Sequence, residues 1–278
     1  MSTTTTGWPG LSRPAGSVTL TRTSGIGLGL TMTWFSLLVL IPLAAVIVTA
    51  TEGGWTNFWS AITNEQTSRA IVLTLLAATA VTVVNVFMGT AIAWVLVRDR
   101  FWGRSALDVL IDIPFALPTI VAGLVLLSLY GNDSPLGINV ANTSWSVYLA
   151  FLFVTLPFIV RMVQPVLESL DLDIEEAAAS LGASRFTTFR RIILPSLAPA
   201  IAAGATLSFA RGVGEYGSLV LLSGNLPFES EVASVRILGA IENDNPAAAA
   251  SVATLLLVVS LLVIVALDVI QRRVARRD

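Results

Sequence analysis

Cysteine, histidine and lysine are all missing from this chain of 278 residues. Without cysteine there are no disulfides and no thiol nucleophile; without histidine there is no imidazole acid–base chemistry, and together the two absences remove the usual zinc ligands. No metal site is expected. All sixteen basic residues are arginine, so a GxxxxGK phosphate loop is impossible and any ATP site of that kind belongs to another chain. Charge is scarce as well: 12% of residues are charged, against about 25% in soluble domains. At 55% hydrophobic residues, the composition is that of a membrane protein, in contact with lipid and with no nucleic-acid partner expected. The net charge of −2 says little, because the sidedness of the charges carries the information.

What is present in quantity is long apolar runs. Leu30 to Ala50 is 21 residues without a charge, long enough to cross about 30 Å of hydrocarbon and too long for a signal-peptide core. Comparable runs lie near 70–97, 106–130, 145–167, 196–222 and 247–270, each bounded by Gly, Pro, Trp or charge. The chain therefore reads as an all-α polytopic membrane protein with six transmembrane helices over 25–278. Residues 1–24, polar and aperiodic, read as a disordered cytoplasmic tail. Arginines cluster in the tail, in 98–105 (Arg98, Arg100, Arg104), in 168–195 and after the last run (Arg272, Arg273, Arg276, Arg277), whereas the intervening loops hold only Arg69 and Arg236. The positive-inside rule then places both termini and the 168–195 loop in the cytoplasm.

Charges inside the runs are candidates for function, because an ion in hydrocarbon must be paired or face water. Ala200, Gly204, Ser208 and Gly212 form a small-residue row on the fifth run, which lets another helix approach closely. Arg211 and Glu215, one turn apart, fall on the same face. They read equally as a structural pair and as a lining of a translocation pathway, together with Ser208. Arg161, near the inner end of the fourth run, is a further pathway candidate, although snorkelling to the interface fits it better. Asp108 and Asp112 open the third run and are expected to be neutralised by Arg98, Arg100 and Arg104; a gate role is the other reading. Pro114 and Pro118 predict a kink there. The outer loop before the last run carries Glu229, Glu231, Glu242 and Asp244 around an apolar stretch, which fits a surface for an external partner or a helix packed on the bundle.

The organising stretch is Glu176 to Pro195. Asp173 with Glu176 three residues on is a capping-box pattern, and Ala177, Ala178 and Ala179 propagate a helix of about 8 residues until Gly182 stops it. A second helix is expected from Ser184, with Phe186, Phe189, Ile192 and Ile193 beside Arg185, Arg190 and Arg191, ending at Pro195. A small alanine face suits a groove in another protein, with Glu176 at its edge meeting a cation; an amphipathic hairpin on the lipid surface is the other reading.

Glu176, Ala177, Ala178, Gly182, Ile192, Leu194 and Pro195 resemble the EAA signature of ABC-importer membrane subunits. The segments DIPFALPTIVAGLVLLSLYG (112–131), LPFIVRMVQPVLESLDLDIEEAAASLGAS (156–184) and SFARGVGEYGSLVLLSGNLPFESEV (208–232) further resemble the sulfate/thiosulfate permease subunits of bacterial ABC importers, T type, from about residue 35 onward. Molybdate permeases share much of the pattern. The resemblance implies a type I ABC importer permease (MetI-like) fold and a non-catalytic subunit forming half a pore. It also implies a related W-type (CysW-like) permease as heterodimer partner, two ATPase subunits holding ATP and Mg, and a periplasmic or extracellular sulfate-binding protein. The ATPase-coupling residues would be Glu175, Glu176, Ala177, Ala178, Gly182, Arg185, Leu194 and Pro195, within a loop at 173–195. A self-contained secondary transporter or channel, or a membrane scaffold, would have no use for that loop.

Overall fold

The structure, a computed structural model, describes residues 22–275. The expected tail therefore lies outside the described residues for 1–21, as do Arg276 and Arg277. Residues 22–24 belong to a helix rather than to the tail.

Two units are distinguished, residues 1–45 and 46–278. In the first, α1 (Arg22–Phe35) passes through a π-turn at Ser36–Leu40 into the start of α2 (Ile41–Thr51), whose residues from Val46 on belong to the second. The N–H of Ile41 bonds Ser36 O, five residues back. The hydrogen-bond ladder has thus changed spacing just before Pro42, which has no N–H to give it.

The second unit holds α3 (Gly54–Thr63), α4 (Glu65–Arg98), α5 (Arg104–Ala116), α6 (Thr119–Tyr130), α7 (Ser144–Ser169), α8 (Leu172–Ser180), α9 (Arg185–Thr188), α10 (Leu194–Val213), α11 (Gly217–Leu222), α12 (Ala233–Glu242) and α13 (Pro246–Ala275). Its centre is α4, α7 and α10, packed pairwise, with α13 on α10, α5 on α7 and α6 on α11. Lipid removes the hydrophobic drive between spans, so small residues and polar contacts decide which faces meet. Ile159 of α7 shows how. A Cβ on Gly89 would stand 2.7 Å from its Cβ, and one on Gly204 would stand 3.1 Å from its Cα, so both neighbouring helices present glycine to one β-branched side chain. Ala200, Gly204, Ser208 and Gly212 are all buried, as the small-residue row predicts. Asn85 Nδ2 donates to Thr155 Oγ1 at 2.8 Å, tying α4 to α7 inside the bundle. One apolar cluster, with Phe151, Leu219 and Val232, fills the end near α12; a second, with Leu96, Val163 and Leu197, fills the end near α8.

Among the described residues five helices are long and apolar enough to cross a membrane, and α5 with α6 forms a sixth crossing only as a broken pair bent by 117°. The expected kink in the third run is this break. It falls at Leu117 and Pro118, both extended, because a residue preceding proline avoids the helical region; Pro114 is accommodated inside α5. The fifth run also departs from expectation. It is helical from Arg185 to Val213, stops at Gly214, and restarts as α11 at Gly217. Pro195 does not end the preceding helix. A π-turn over Phe189–Ile193, closed by Leu194 N–H on Phe189 O, changes the ladder spacing ahead of the proline, as at Pro42.

Candidate functional site

The first group of predicted residues sits where α4 and α7 end. Asp171, rather than the expected Asp173, caps α8 by accepting from Asp173 N. At the other end Gly182 adopts φ +83°. Its N–H bonds Ala179 O at 2.9 Å and Ala183 N–H bonds Ala178 O at 3.0 Å, the double closure of a glycine-terminated helix. Ser184 then caps α9 through Thr187 N. The result is a rigid helix–glycine–helix whose second arm runs without a gap into a membrane span.

Of the residues predicted there, Glu176, Ala177, Gly182, Arg185 and Leu194 are exposed, Pro195 is half-buried, and Ala178 is buried against the protein. Glu175 is the one turned inward. Its carboxylate meets Arg98 at 2.8 Å, with both side chains largely buried, and Arg98 also donates to Leu170 O at 3.3 Å. The sequence had assigned Arg98 to the aspartates of α5; instead it fastens α8 to the end of α4. Leu181 and Phe186, 89% and 71% exposed, flank the hairpin. Both are large apolar side chains held in the open on a capped element.

The second group lies at the other end of α10. Arg211 Nη1 is 2.7 Å from Glu215 Oε2, and Glu215 Oε1 accepts from Ser218 N at 3.0 Å and Ser218 Oγ at 2.9 Å. The sequence placed both residues on one helix; in fact the helix has ended, and Glu215 lies in the Gly214–Tyr216 bend, where its carboxylate caps the start of α11. The bend exists because α11 packs on α6 at glycine distance. A Cβ on Gly123 would stand 2.5 Å from Ser218 O, and a Cβ on Gly217 would stand 2.1 Å from Thr119 Oγ1. Ser208, one turn before Arg211, is 1% exposed, and its hydroxyl has no hydrogen-bond partner among the described residues.

Arg161 belongs to neither group. Its guanidinium is held at 2.7 Å by Asp112 through Nε and Nη2, by Asp108 Oδ1 and Gln164 Oε1 through Nη1, and by Asp108 O through Nη2. The aspartates are thus neutralised from α7 rather than by the 98–104 arginines, and Arg161 clamps α5 instead of snorkelling. The spacing of Asp108 and Asp112, one turn apart, is the signal for such a clamp; its partner is distant in sequence. At the end opposite the hairpin, the acidic loop folds into α12, which packs on α13 and α4, with Glu231 buried and bonded by Gln66 Nε2 at 2.7 Å.

Spans of membrane length, a broken helix beside an Arg–Glu ion pair, and an exposed capped hairpin at one end define a multi-span helical membrane protein. The chain belongs to the family of binding-protein-dependent transport system inner membrane components, whose sequence profile matches residues 85–277. It is 40% identical over 259 residues, 91% of this chain and 94% of the relative, to the sulfate transport system permease protein CysT of Salmonella typhimurium. It is likewise 40% identical over 249 residues, 87% of each chain, to the CysT protein of Synechocystis. The fold is similar to that of a chain of a bacterial ABC transporter involved in the import of the acidic polysaccharide alginate, with TM-score 0.73 and 18% identity over 90% of this chain and 94% of that one. It also resembles a chain of the MetNI methionine ABC transporter in an inward-facing conformation, at TM-score 0.54 and 20% identity over 76% and 99%.

Proposed function

We propose that this chain is the T-type permease subunit of an ATP-driven importer of sulfate and thiosulfate, forming half of the pore beside a W-type partner. The observation that carries the drive mechanism is the hairpin at Leu172–Thr188, capped at both turns, exposed on its outer face and continuous with a span. In this reading Glu176, Ala177, Gly182 and Arg185 meet one of two ATPase subunits, which hold ATP and Mg, while a solute-binding protein delivers the anion from outside. This chain itself catalyses nothing.

Force arriving at α8 has two routes into the membrane. One is the Arg98–Glu175 pair, which loads the end of α4. The other is the helical rod from Arg185 to Val213, about 40 Å long at 1.5 Å per residue, which ends next to Arg211. A rigid rod cannot take up displacement by bending at a loop, so movement of the hairpin reaches the Arg211–Glu215 bend. There the exposed edge of Arg211 offers a cation to a passing divalent anion, and Glu215 lowers its hold so that the anion can leave. Ser208 lines the same path. The arginine distribution supports cytoplasmic termini on the same side as the hairpin.

Expression together with its W-type partner, ATPase and solute-binding protein in a bacterial strain lacking its own sulfate permease tests this. Growth on sulfate as sole sulfur source, equal to growth on cysteine, together with ATP-dependent uptake of radiolabelled sulfate, is the expected result. Growth on cysteine alone overturns the sulfate assignment, and uptake of molybdate without sulfate points to the sibling oxyanion.

A further inference from the structure

A second polar feature lies at the opposite end of α4 from the hairpin, about 50 Å away along 34 residues at 1.5 Å per residue. It is a cavity of about 370 Å³ between α3, α12 and the starts of α4 and α13, lined by Asn57, Asn64, Asn245, Arg236, Ser60 and Ser251 among others. Arg236 Nε donates to Thr67 Oγ1 at 3.1 Å, which fixes the guanidinium in the wall. Among the described residues no carboxylate lies within 4 Å of it.

The amides supply the sign of the ligand. Asn64 Oδ1 accepts from Gln66 N and Thr67 N at the start of α4, and Asn245 Oδ1 accepts from Ala248 N at the start of α13. Both amide oxygens are consumed by helix caps, so each asparagine has only its NH2 to offer, and neither group has an acceptor among the described residues. Asn57 Nδ2 is also without an acceptor among the described residues, as its Oδ1 is without a donor, and it lies against Gly53, where a Cβ would come within 2.8 Å of it. The hydroxyls of Ser60 and Ser251 are turned to the carbonyls of Asn57 and Ala247 in their own helices. Helices of 34 and 30 residues thus bring their positive ends to a cavity walled by a guanidinium and three amide donors. The carbonyls at the end of α12 are taken by Asn243, Asp244 and Asn245 N–H. Of the acids nearby, Glu65 is paired with Arg69 and Glu231 is bonded by Gln66; Glu52, Glu242 and Asp244 are exposed on the adjoining turns, where salt screens them.

We propose that this cavity binds a tetrahedral oxyanion. A lining with one guanidinium, three unbonded amide NH2 groups and no carboxylate suits an anion better than a cation, and 370 Å³ leaves room for waters of about 30 Å³ each around it, which favours reversible binding. Two sources carry this chemistry. One is a free anion such as sulfate on the outer side. The other is the phosphate of a lipid headgroup, since Trp55 and Trp59 are exposed beside Phe58, which lines the cavity, and such aromatics sit at headgroup depth. The inference rests on the cavity alone, and its test reads binding without transport.

The full-length chain in phosphatidylcholine nanodiscs is titrated with radiolabelled sulfate, and a parallel preparation with added phosphatidylglycerol is analysed for retained lipid by native mass spectrometry. Saturable sulfate binding that Arg236→Gln weakens about tenfold, the scale of one charge-assisted contact, and that Asn57→Ala weakens several-fold, supports the free anion. Phosphatidylglycerol retained by the wild type and lost by both variants supports the headgroup. Arg236→Lys keeps a positive charge and is expected to retain part of either signal. Asn57→Ala touches neither helix cap nor the Thr67 contact, so it decides the matter if Arg236→Gln melts early. Sulfate binding and lipid retention that are the same in wild type and in well-folded variants overturn the proposal.

Discussion

Arg211 and Glu215 form a 2.7 Å ion pair in which the glutamate side chain is fully buried and the arginine is 33% exposed. The asymmetry follows from the second oxygen of Glu215, which caps α11 through Ser218 and so pins the carboxylate inside while leaving one edge of the guanidinium free. The two residues therefore predict different phenotypes. Arg211→Gln removes the free edge and keeps the cap but takes the counter-ion from a fully buried carboxylate; uptake should fall at least tenfold, and melting should fall as well. Glu215→Gln turns an amide toward Arg211 or toward Ser218 and strands a partly buried cation, a defect on the order of 3 kcal/mol. Melting in detergent should fall markedly. Uptake and melting like wild type in both variants would remove the pair from the pathway.

The Arg161 clamp predicts a test of geometry against charge. Its fork reaches two carboxylates and a carbonyl at once, which a lysine cannot do. Arg161→Lys should cost about 1 kcal/mol, given the partial exposure of the three side chains. Arg161→Gln should cost more, because Asp108 and Asp112 then face each other one turn apart. Adding Asp108→Asn and Asp112→Asn to Arg161→Gln should recover most of the loss in thermal melting. Absence of that recovery would show that the clamp does not hold α5.

Most of the bundle was legible because apolar length is a property of single segments, and the cap at Gly182 is local chemistry that glycine satisfies without strain at φ +83°. The misreadings share a cause, since each required knowing what a residue meets across the bundle. Asp108 and Asp112 found Arg161, 53 and 49 positions away, instead of the nearby arginines. Arg98 found Glu175. The break at Gly214 was hidden because 196–222 has the length of a single span, and the Gly123 and Gly217 approach that bends it leaves no periodic trace. Pro195 failed as a stop signal because a π-turn had absorbed it.

That approach is testable directly. Gly217→Ala would drive a methyl onto Thr119 Oγ1, and Gly123→Ala would drive one onto the backbone of Ser218. The first obstacle is a side chain and the second is not. Gly217→Ala with Thr119→Ala should therefore be rescued in part, whereas Gly123→Ala should stay defective whatever accompanies it, each uncompensated methyl costing about 1–3 kcal/mol of overpacking. Equal tolerance of both alanines in expression and melting would mean that α6 and α11 do not meet this closely.

The coupling hairpin gives the decisive prediction, because its inward and outward residues should fail in different ways. Glu176 is exposed, so Glu176→Lys should leave folding and insertion intact and abolish transport by meeting a basic groove on the ATPase, where reversal costs far more than the 0–1 kcal/mol of an ordinary surface pair. Glu175→Gln instead frees Arg98 inside its own chain. The ATPase should remain bound and hydrolysis should continue, but less of it should be coupled to uptake; Arg98→Gln should behave alike, and the double substitution should be no worse than either single one. Gly182→Asp forces a side chain into the left-handed turn and misaims both arms, losing ATPase and transport together. Because the chain has no cysteine, one thiol reports contact cleanly, and the structure selects its position: Ala178 is buried whereas Ala177 is exposed, so Ala177→Cys should crosslink to a cysteine in the ATPase groove and Ala178→Cys should not. Crosslinking from Ala178→Cys alone would mean that the helix presents its other face. No crosslink from any position between 175 and 183, in a complex that still transports, would remove the hairpin from the coupling path.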